Sequence, residues 1–259
     1  MSNDNRRHYS NLPPYGTVAS GFVQAGVFNS FTLPPRTFDS LWFGTGCIFP
    51  EKFIPPYQDP ASLFKPYTID KCVPAKRLVH RDLHKTFILY TDGACLNNGA
   101  PNARAGCAFV FGKAEQNSYE PTCARFPLEN KGPTGEYHRQ TSNRAELRAV
   151  LAASRFCDWR VGRFNRMVIA TDSEYVVEGI TTGLRNWIPR GWRLNDGSPV
   201  MNQDLWACLL GEVERWHTYG MKMEFWRVSR LENREADRFA SIAASERRED
   251  SFQDHRLGV

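Results

Sequence analysis

Nowhere in this chain does an apolar run approach the ~20 residues that a membrane-crossing helix needs. The richest patch, residues 41–49, is short and is interrupted by Gly44 and Gly46. No apolar stretch follows Arg6, Arg7 and His8, so the first residues do not read as a secretory signal. Asp4 leaves a transit peptide weakly supported. Cys-x-x-Cys is also missing. The seven cysteines are odd in number and widely spaced, which argues against both a disulfide framework and a zinc site. Most of them read as small buried hydrophobes. There is no internal repeat and no low-complexity tract. These absences point to an intracellular protein in a reducing compartment, nucleus or cytoplasm first, with the mitochondrion left open.

What is present is an ordinary globular composition: 259 residues, 41% hydrophobic and 24% charged. That is enough for one large domain, or one domain with an extension. The net charge of +5 suits a polyanionic partner without requiring one. Composition changes near residue 85. Ten of the sixteen prolines fall in residues 1–84, including three Pro-Pro pairs. Proline removes a backbone donor and fixes φ, so this stretch cannot be mainly helix or central strand. Yet it carries Phe28, Phe31, Trp42, Phe43, Phe49 and Tyr57, and disordered tails are poor in aromatics. The expectation is a largely irregular extension, residues 1–84, that lays aromatic rings on the domain behind it. The alternative is a tether ordered only by a partner.

Residues 85–245 are patterned as a domain, and residues 246–259 read as a charged tail that frays. Residues 87–90 form a continuous apolar run ending in Thr91-Asp92-Gly93, the signature of a strand buried on both faces. Residues 108–111 read as the next strand, antiparallel to it across the Asn97-Asn98-Gly99 turn. A third strand is expected around 122–126. Residues 143–157 carry Leu147, Val150, Leu151 and Ser154 at helical spacing. Residues 167–170 form a second buried strand ending in Thr-Asp. Helices are expected from 174 to 179, 203 to 219 and 233 to 245, with a last strand at 224–228. Strands first, then strands alternating with helices, imply an α/β fold: a mixed sheet, antiparallel at first and then parallel, flanked by helices.

Four acids stand at element ends: Asp92, Glu146, Asp172 and Asp237. A strand that ends in Thr-Asp points its aspartate off the carboxyl edge of the sheet, where open α/β sheets bind ligands. Two such carboxylates side by side repel each other, at a cost that a cation relieves. Oxygen-only ligands select hard ions, Mg²⁺ or Mn²⁺, over zinc. Two ions about 4 Å apart can activate water and stabilise the leaving oxygen in phosphodiester hydrolysis. Each acid also has a plainer reading. Glu146 can close a capping box with Asn143, Asp237 can sit on a solvated helix face, and Asp92 and Asp172 can be turn residues. It is their joint order and context that favours the metal reading.

Residues 86–244, about three-fifths of the chain, resemble type 1 ribonuclease H. The motifs are Thr91-Asp92-Gly93-Ala94-Cys95-Leu96-Asn97-Asn98, Thr141-Ser142-Asn143-Arg144-Ala145-Glu146-Leu147 and Thr171-Asp172-Ser173-Glu174-Tyr175-Val176. Stretches from Gly179 to Trp206 and Glu232-Asn233-Arg234-Glu235-Ala236-Asp237 are similar as well. The resemblance implies endonucleolytic cleavage of the RNA strand of an RNA–DNA hybrid, leaving 3′-hydroxyl and 5′-phosphate ends. It implies two Mg²⁺ ions, with Mn²⁺ as a substitute, held by Asp92, Glu146, Asp172 and Asp237, and no organic cofactor. It places Asn98, Ser142 and Asn143 near the minor groove and the backbone at Gly93 and Cys95 near the RNA strand. It likens residues 185–193, with Trp187, Arg190 and Trp192, to a basic handle that grips the DNA strand. The alternative for that stretch is a tryptophan-anchored loop with a solvated charged face.

The chain departs from the family in four respects. No His occupies the loop before the last helix, which here is Val228-Ser229-Arg230-Leu231-Glu232. Glu174 adds a charge near the acids, where some members have an amide. The loop 119–138 is longer, and residues 1–84 do not resemble the hybrid-binding module of some members. The second reading is therefore a weak or inactive nucleic-acid-binding module that keeps the fold.

Overall fold

The computed structural model describes residues 41–69, 76–112 and 122–257. In chain order its elements are β1 (Glu51–Lys52), α1 (Pro60–Leu63), β2 (Phe64–Thr68), β3 (Lys76–His80), β4 (Thr86–Leu96), β5 (Arg104–Gly112) and β6 (Thr122–Pro127). There follow α2 (Ser142–Arg155), β7 (Arg166–Thr171), α3 (Glu174–Glu178), α4 (Leu184–Trp187), α5 (Gln203–Thr218), β8 (Lys222–Arg227) and α6 (Arg234–Ala243). No helix among the described residues is long and apolar enough to cross a membrane.

The longest strand, β4, organises the sheet. Phe87, Ile88 and Leu89 are fully buried, because both faces of a central strand are covered. β4 runs antiparallel to β5 and parallel to β7, and β7 runs parallel to β8. The sheet is thus antiparallel in its first strands and parallel afterwards, as the sequence pattern implies. One face packs on α2 and α5, with Leu147, Leu151, Trp159, Trp206 and Trp216 at its centre. The opposite face is covered in two places. Ala236, Phe239 and Ala240 of α6 lie over Ala108 and Val110, and Phe53 and Phe64 lie with Ile88, Val168 and Trp226.

Part of the extension is more regular than its prolines suggest. β2 and β3 form an antiparallel hairpin, and β3 joins β4 with Leu78 opposite Ile88 and Val79 opposite Phe87. β7 takes the other side of β4, so β3 and β5 share one edge, β5 pairing from Tyr90 onward. At the far side, β1 pairs in parallel with β8. Residues before 85 therefore extend the sheet on both flanks. Their aromatics do lie on the domain: Phe43 and Phe49 against the main core, and Phe53 5.4 Å from Trp226. Tyr57 is exposed. Phe28 and Phe31 lie outside the described residues.

The C-terminal residues dock rather than fray. The Leu257 amide donates to the Phe156 carbonyl (2.7 Å), and Phe252 and Leu257 rest on the main core. His255 stacks on Phe126 at 3.9 Å. Asp254 receives both Arg155 Nε (3.0 Å) and Nη2 (2.6 Å). Arg148 donates to the Gln253 carbonyl (2.5 Å) and lies 4.3 Å over the Phe252 ring. Burial explains the difference. Arg148 and Arg155 sit on the core side of α2, nearly inaccessible to solvent. Buried guanidinium groups require partners, and Glu129, Glu212 and the tail supply them.

Candidate active site

Strand register brings the first two acids together. Tyr90 of β4 lies beside Ala170 of β7. Two residues further along these parallel strands stand Asp92 and Asp172, at the carboxyl rim of the sheet. Two glycines bring in the others. A Cβ on Gly93 would fall 2.1 Å from the Glu146 backbone nitrogen, so the missing side chain lets α2 press on β4 and delivers Glu146 next to Asp92. A Cβ on Gly106 would meet the Ala240 carbonyl at 2.4 Å, so β5 admits α6 equally closely and with it Asp237.

The capping alternative for Glu146 does not hold. The N-cap of α2 is Thr141, whose hydroxyl accepts from the Arg144 amide at 3.2 Å. Glu146 instead receives a short hydrogen bond from the Ser173 hydroxyl. Asp237 is partly buried and pairs with Arg230 at 3.0 Å. The most informative neighbour is Asn233, to which the sequence reading gave no role of its own. It stands at the N-cap of α6 yet makes no capping bond with its side chain. Its amide donates instead to the Thr91 carbonyl (3.1 Å), Asp92 Oδ1 (3.3 Å) and Asp172 Oδ1 (2.9 Å). Position was the only signal available: an Asn at a helix start reads as an ordinary cap.

The electrostatics record the crowding. Burial pushes the Asp92 carboxyl up to about 8, helped by the charge of Asp172, a hydrogen bond shared with it, and the charges of Asp237 and Glu146. Burial pushes Glu146 up to about 7, the Ser173 bond opposing and the Asp172 charge assisting. These values set a pH dependence. The stability that Asp92 contributes is fully present below its ordinary carboxylate range and is lost as pH climbs to about 8. Burial lowers His80 and His138, so they act in the opposite sense, but only near and below about pH 6.5. The metal-free protein is therefore expected to melt lower at about pH 8.5 than at about pH 7, and millimolar Mg²⁺ to remove most of that difference. A pH-independent melting temperature across this window, in EDTA, would contradict the crowding.

Among the described residues, no three His, Cys, Asp or Glu side chains stand close enough together to hold an ion as they are. Asp92 and Asp172 are held by Asn233, Glu146 by Ser173, and Asp237 by Arg230. The donor set itself, oxygen only and mutually repelling, suits a hard divalent cation. The buried Asn233 carbonyl oxygen, which has no partner, adds an unsatisfied acceptor beside it. A 310 Å³ cavity beneath residues 231–236 is lined by none of the four acids, which stand at the rim.

The remaining expected contacts fall out unevenly. Asn98 and Asn143 are exposed, and Ser142 is half-buried at the start of α2. Cys95 is half-buried, whereas Gly93 is buried against α2, where its lack of a side chain serves helix packing. Glu174 is exposed and pairs with Arg227 at 2.9 Å. Arg190 is exposed and bonded to Asn195. Trp187 is half-buried, edge-on to Trp206 at 5.6 Å. Trp192 is only 6% exposed, so its ring belongs to the core and presents little to a ligand.

A mixed sheet with acids drawn toward one rim from four different elements sets the class of fold and site to be compared with known proteins. The RNase H family profile matches residues 84–245. A ribonuclease H of Hahella chejuensis is 33% identical over 162 residues, covering 62% of this chain and 95% of its own length. One from Crithidia fasciculata is 31% identical over 162 residues, but this chain spans only 31% of its length. The solved structure of LC9-RNase H1, a type 1 RNase H with the type 2 active-site motif, is 25% identical, with a TM-score of 0.42, over 61% of this chain and 72% of that one. The chain belongs to the RNase H family.

Proposed function

We propose that this chain is a ribonuclease H that cuts the RNA strand of RNA–DNA hybrids endonucleolytically, leaving 3′-hydroxyl and 5′-phosphate ends. Family membership supports the activity. The observation that supports the catalytic assignment is geometric: Asn233 bonds Asp92 and Asp172 together at the ends of β4 and β7, and close packing at Gly93 and Gly106 brings α2 with Glu146 and α6 with Asp237 to the same rim. Asp92, Glu146, Asp172 and Asp237 would hold two Mg²⁺ or Mn²⁺ ions. Bound there, such ions lower the pKa of an attacking water and stabilise the leaving oxygen.

The chain's own groups do the rest. Asn233 orients Asp92 and Asp172, and Ser173 orients Glu146. Arg230 neutralises Asp237 at rest and stands where it can meet a phosphate. It cannot accept a proton, so turnover is slow for want of a general base, a deficit worth about 10²–10⁴-fold. Asn98, Ser142 and Asn143 face the groove in which the 2′-hydroxyls distinguish RNA from DNA.

The test is cleavage of an end-labelled hybrid by the full chain in Mg²⁺ and in Mn²⁺, with single- and double-stranded DNA as controls. Hybrid-specific, ion-dependent cutting is the expected result. No cutting in either ion, with hybrid binding intact, would sink the proposal and leave a binding module.

A further inference from the structure

The stretch from 41 to 53 crosses the helical face of the domain and is fastened at discrete points. The Glu214 carboxylate on α5 accepts from the Thr45 amide (2.9 Å), the Gly46 amide (2.8 Å), the Cys47 amide (3.0 Å) and the Thr45 hydroxyl (3.0 Å). Three converging amides and a hydroxyl on one carboxylate form a built anchor, stronger than a bond between neutral groups. Just before it, the Gly44 amide donates to the Ala207 carbonyl (2.8 Å). At the far end β1 pairs with β8, and Lys52 meets Glu178 of α3 at 2.5 Å. Between the two fastenings lies a cavity of about 540 Å³, lined by residues 47–51 on one side and by Arg185, Val213, His217 and Met223 on the other. The stretch thus packs on the core through Leu41, Phe43, Ile48 and Phe49 and skirts the cavity between its two fastenings.

What this stretch touches is the base of the basic segment. Phe49 lies under the Arg185 guanidinium at 4.6 Å, and Arg185 Nε donates to the Thr181 carbonyl (3.2 Å). A Cβ on Gly46 would lie 3.4 Å from Ile188 Cδ1, so the stretch passes close to the segment there, with room for no more than a small side chain between them. Arg190 and Arg193 follow directly, both exposed. On the reading that this chain binds hybrids, we propose that residues 41–53 are a strap that positions the basic segment 185–193 for the nucleic acid, with Glu214 its anchor and Phe49 its contact. Glu214 and Phe49 are positioning residues. They stand on α5 and in the strap, away from the four acids at the sheet rim.

The experiment uses the full chain with Glu214→Ala and, separately, Phe49→Leu, which keeps apolar bulk but removes the ring face. Two hybrids are compared, a long one that reaches the basic segment and one of a few base pairs that spans only the acids. For the long hybrid, KM is expected to rise about two- to five-fold in Phe49→Leu, the loss of one cation–π contact. It should rise further in Glu214→Ala, with kcat unchanged and the short hybrid unaffected. Limited proteolysis should cut residues 41–53 faster in Glu214→Ala. If that variant fails to fold, Phe49→Leu decides alone. Unchanged KM, or equal losses on both hybrids, would overturn the strap. Hybrid affinity measured in EDTA gives the same comparison without catalysis. A wild-type chain that binds but never cuts would therefore refute the activity and not the strap.

Discussion

Asp92→Asn is expected to abolish hybrid cleavage, by at least about 10³-fold, while leaving hybrid affinity nearly unchanged and raising the melting temperature of the metal-free protein. The three effects come from one position. Asp92 is 5% exposed and faces the charges of Asp172, Asp237 and Glu146, which together with burial push its carboxyl up to about 8. An amide of the same shape removes a charge that burial disfavours and relieves its neighbours. It also removes the acid best placed to hold a cation against Asp172. The variant should lose both the fall in stability at high pH and the Mg²⁺-induced rise in melting temperature. Full activity would show that the reacting centre lies elsewhere. Lost activity with a lower melting temperature would show that Asp92 serves the fold and not the chemistry.

Much of this was legible in the residues. Two apolar runs ending in Thr-Asp located β4 and β7, and with them the rim, because a doubly buried strand leaves an unbroken hydrophobic record. The other acids were legible as motifs, but the means of their convergence was not. Gly93 and Gly106 act through backbone distances between elements far apart in sequence. Asn233 carried no role of its own in the sequence because its partners, Thr91, Asp92 and Asp172, are remote in the chain. β2 was hidden by Lys65 and Pro66, and β1 by having only two residues. The tail misled for a different reason: its burial depends on charge pairing with arginines in the core, which a hydrophobic pattern counts as surface.

That pairing sets the second large effect. Truncation before Asp250 is expected to destabilise the protein by about 3–5 kcal/mol, the usual cost of stripping a partner from a buried charge. Arg155 is 1% exposed and would keep Glu212 but lose both bonds to Asp254. Arg148 would lose the Gln253 carbonyl and the Phe252 ring while keeping Glu129. Phe126 would lose His255. Urea unfolding of the truncated and full chains measures the difference. A change within about 0.5 kcal/mol, the scale of ordinary surface edits, would mean that the tail is a passenger. Asp254→Asn offers a milder version, with a loss of the same sign.

The hairpin added in front of β4 has a consequence for behaviour in a crowded cell. A sheet edge with free donors and acceptors invites another chain to add to it, and repeated addition makes fibrils. On this flank the outermost strand among the described residues is β2, Phe64-Lys65-Pro66-Tyr67-Thr68, five residues long. Pro66 has no amide to offer an incoming strand, and the exposed Lys65 brings a charge that a second copy would have to bury against its own. The short strand that made the region hard to recognise thus also blunts the described edge and makes it a poor template for a neighbouring copy.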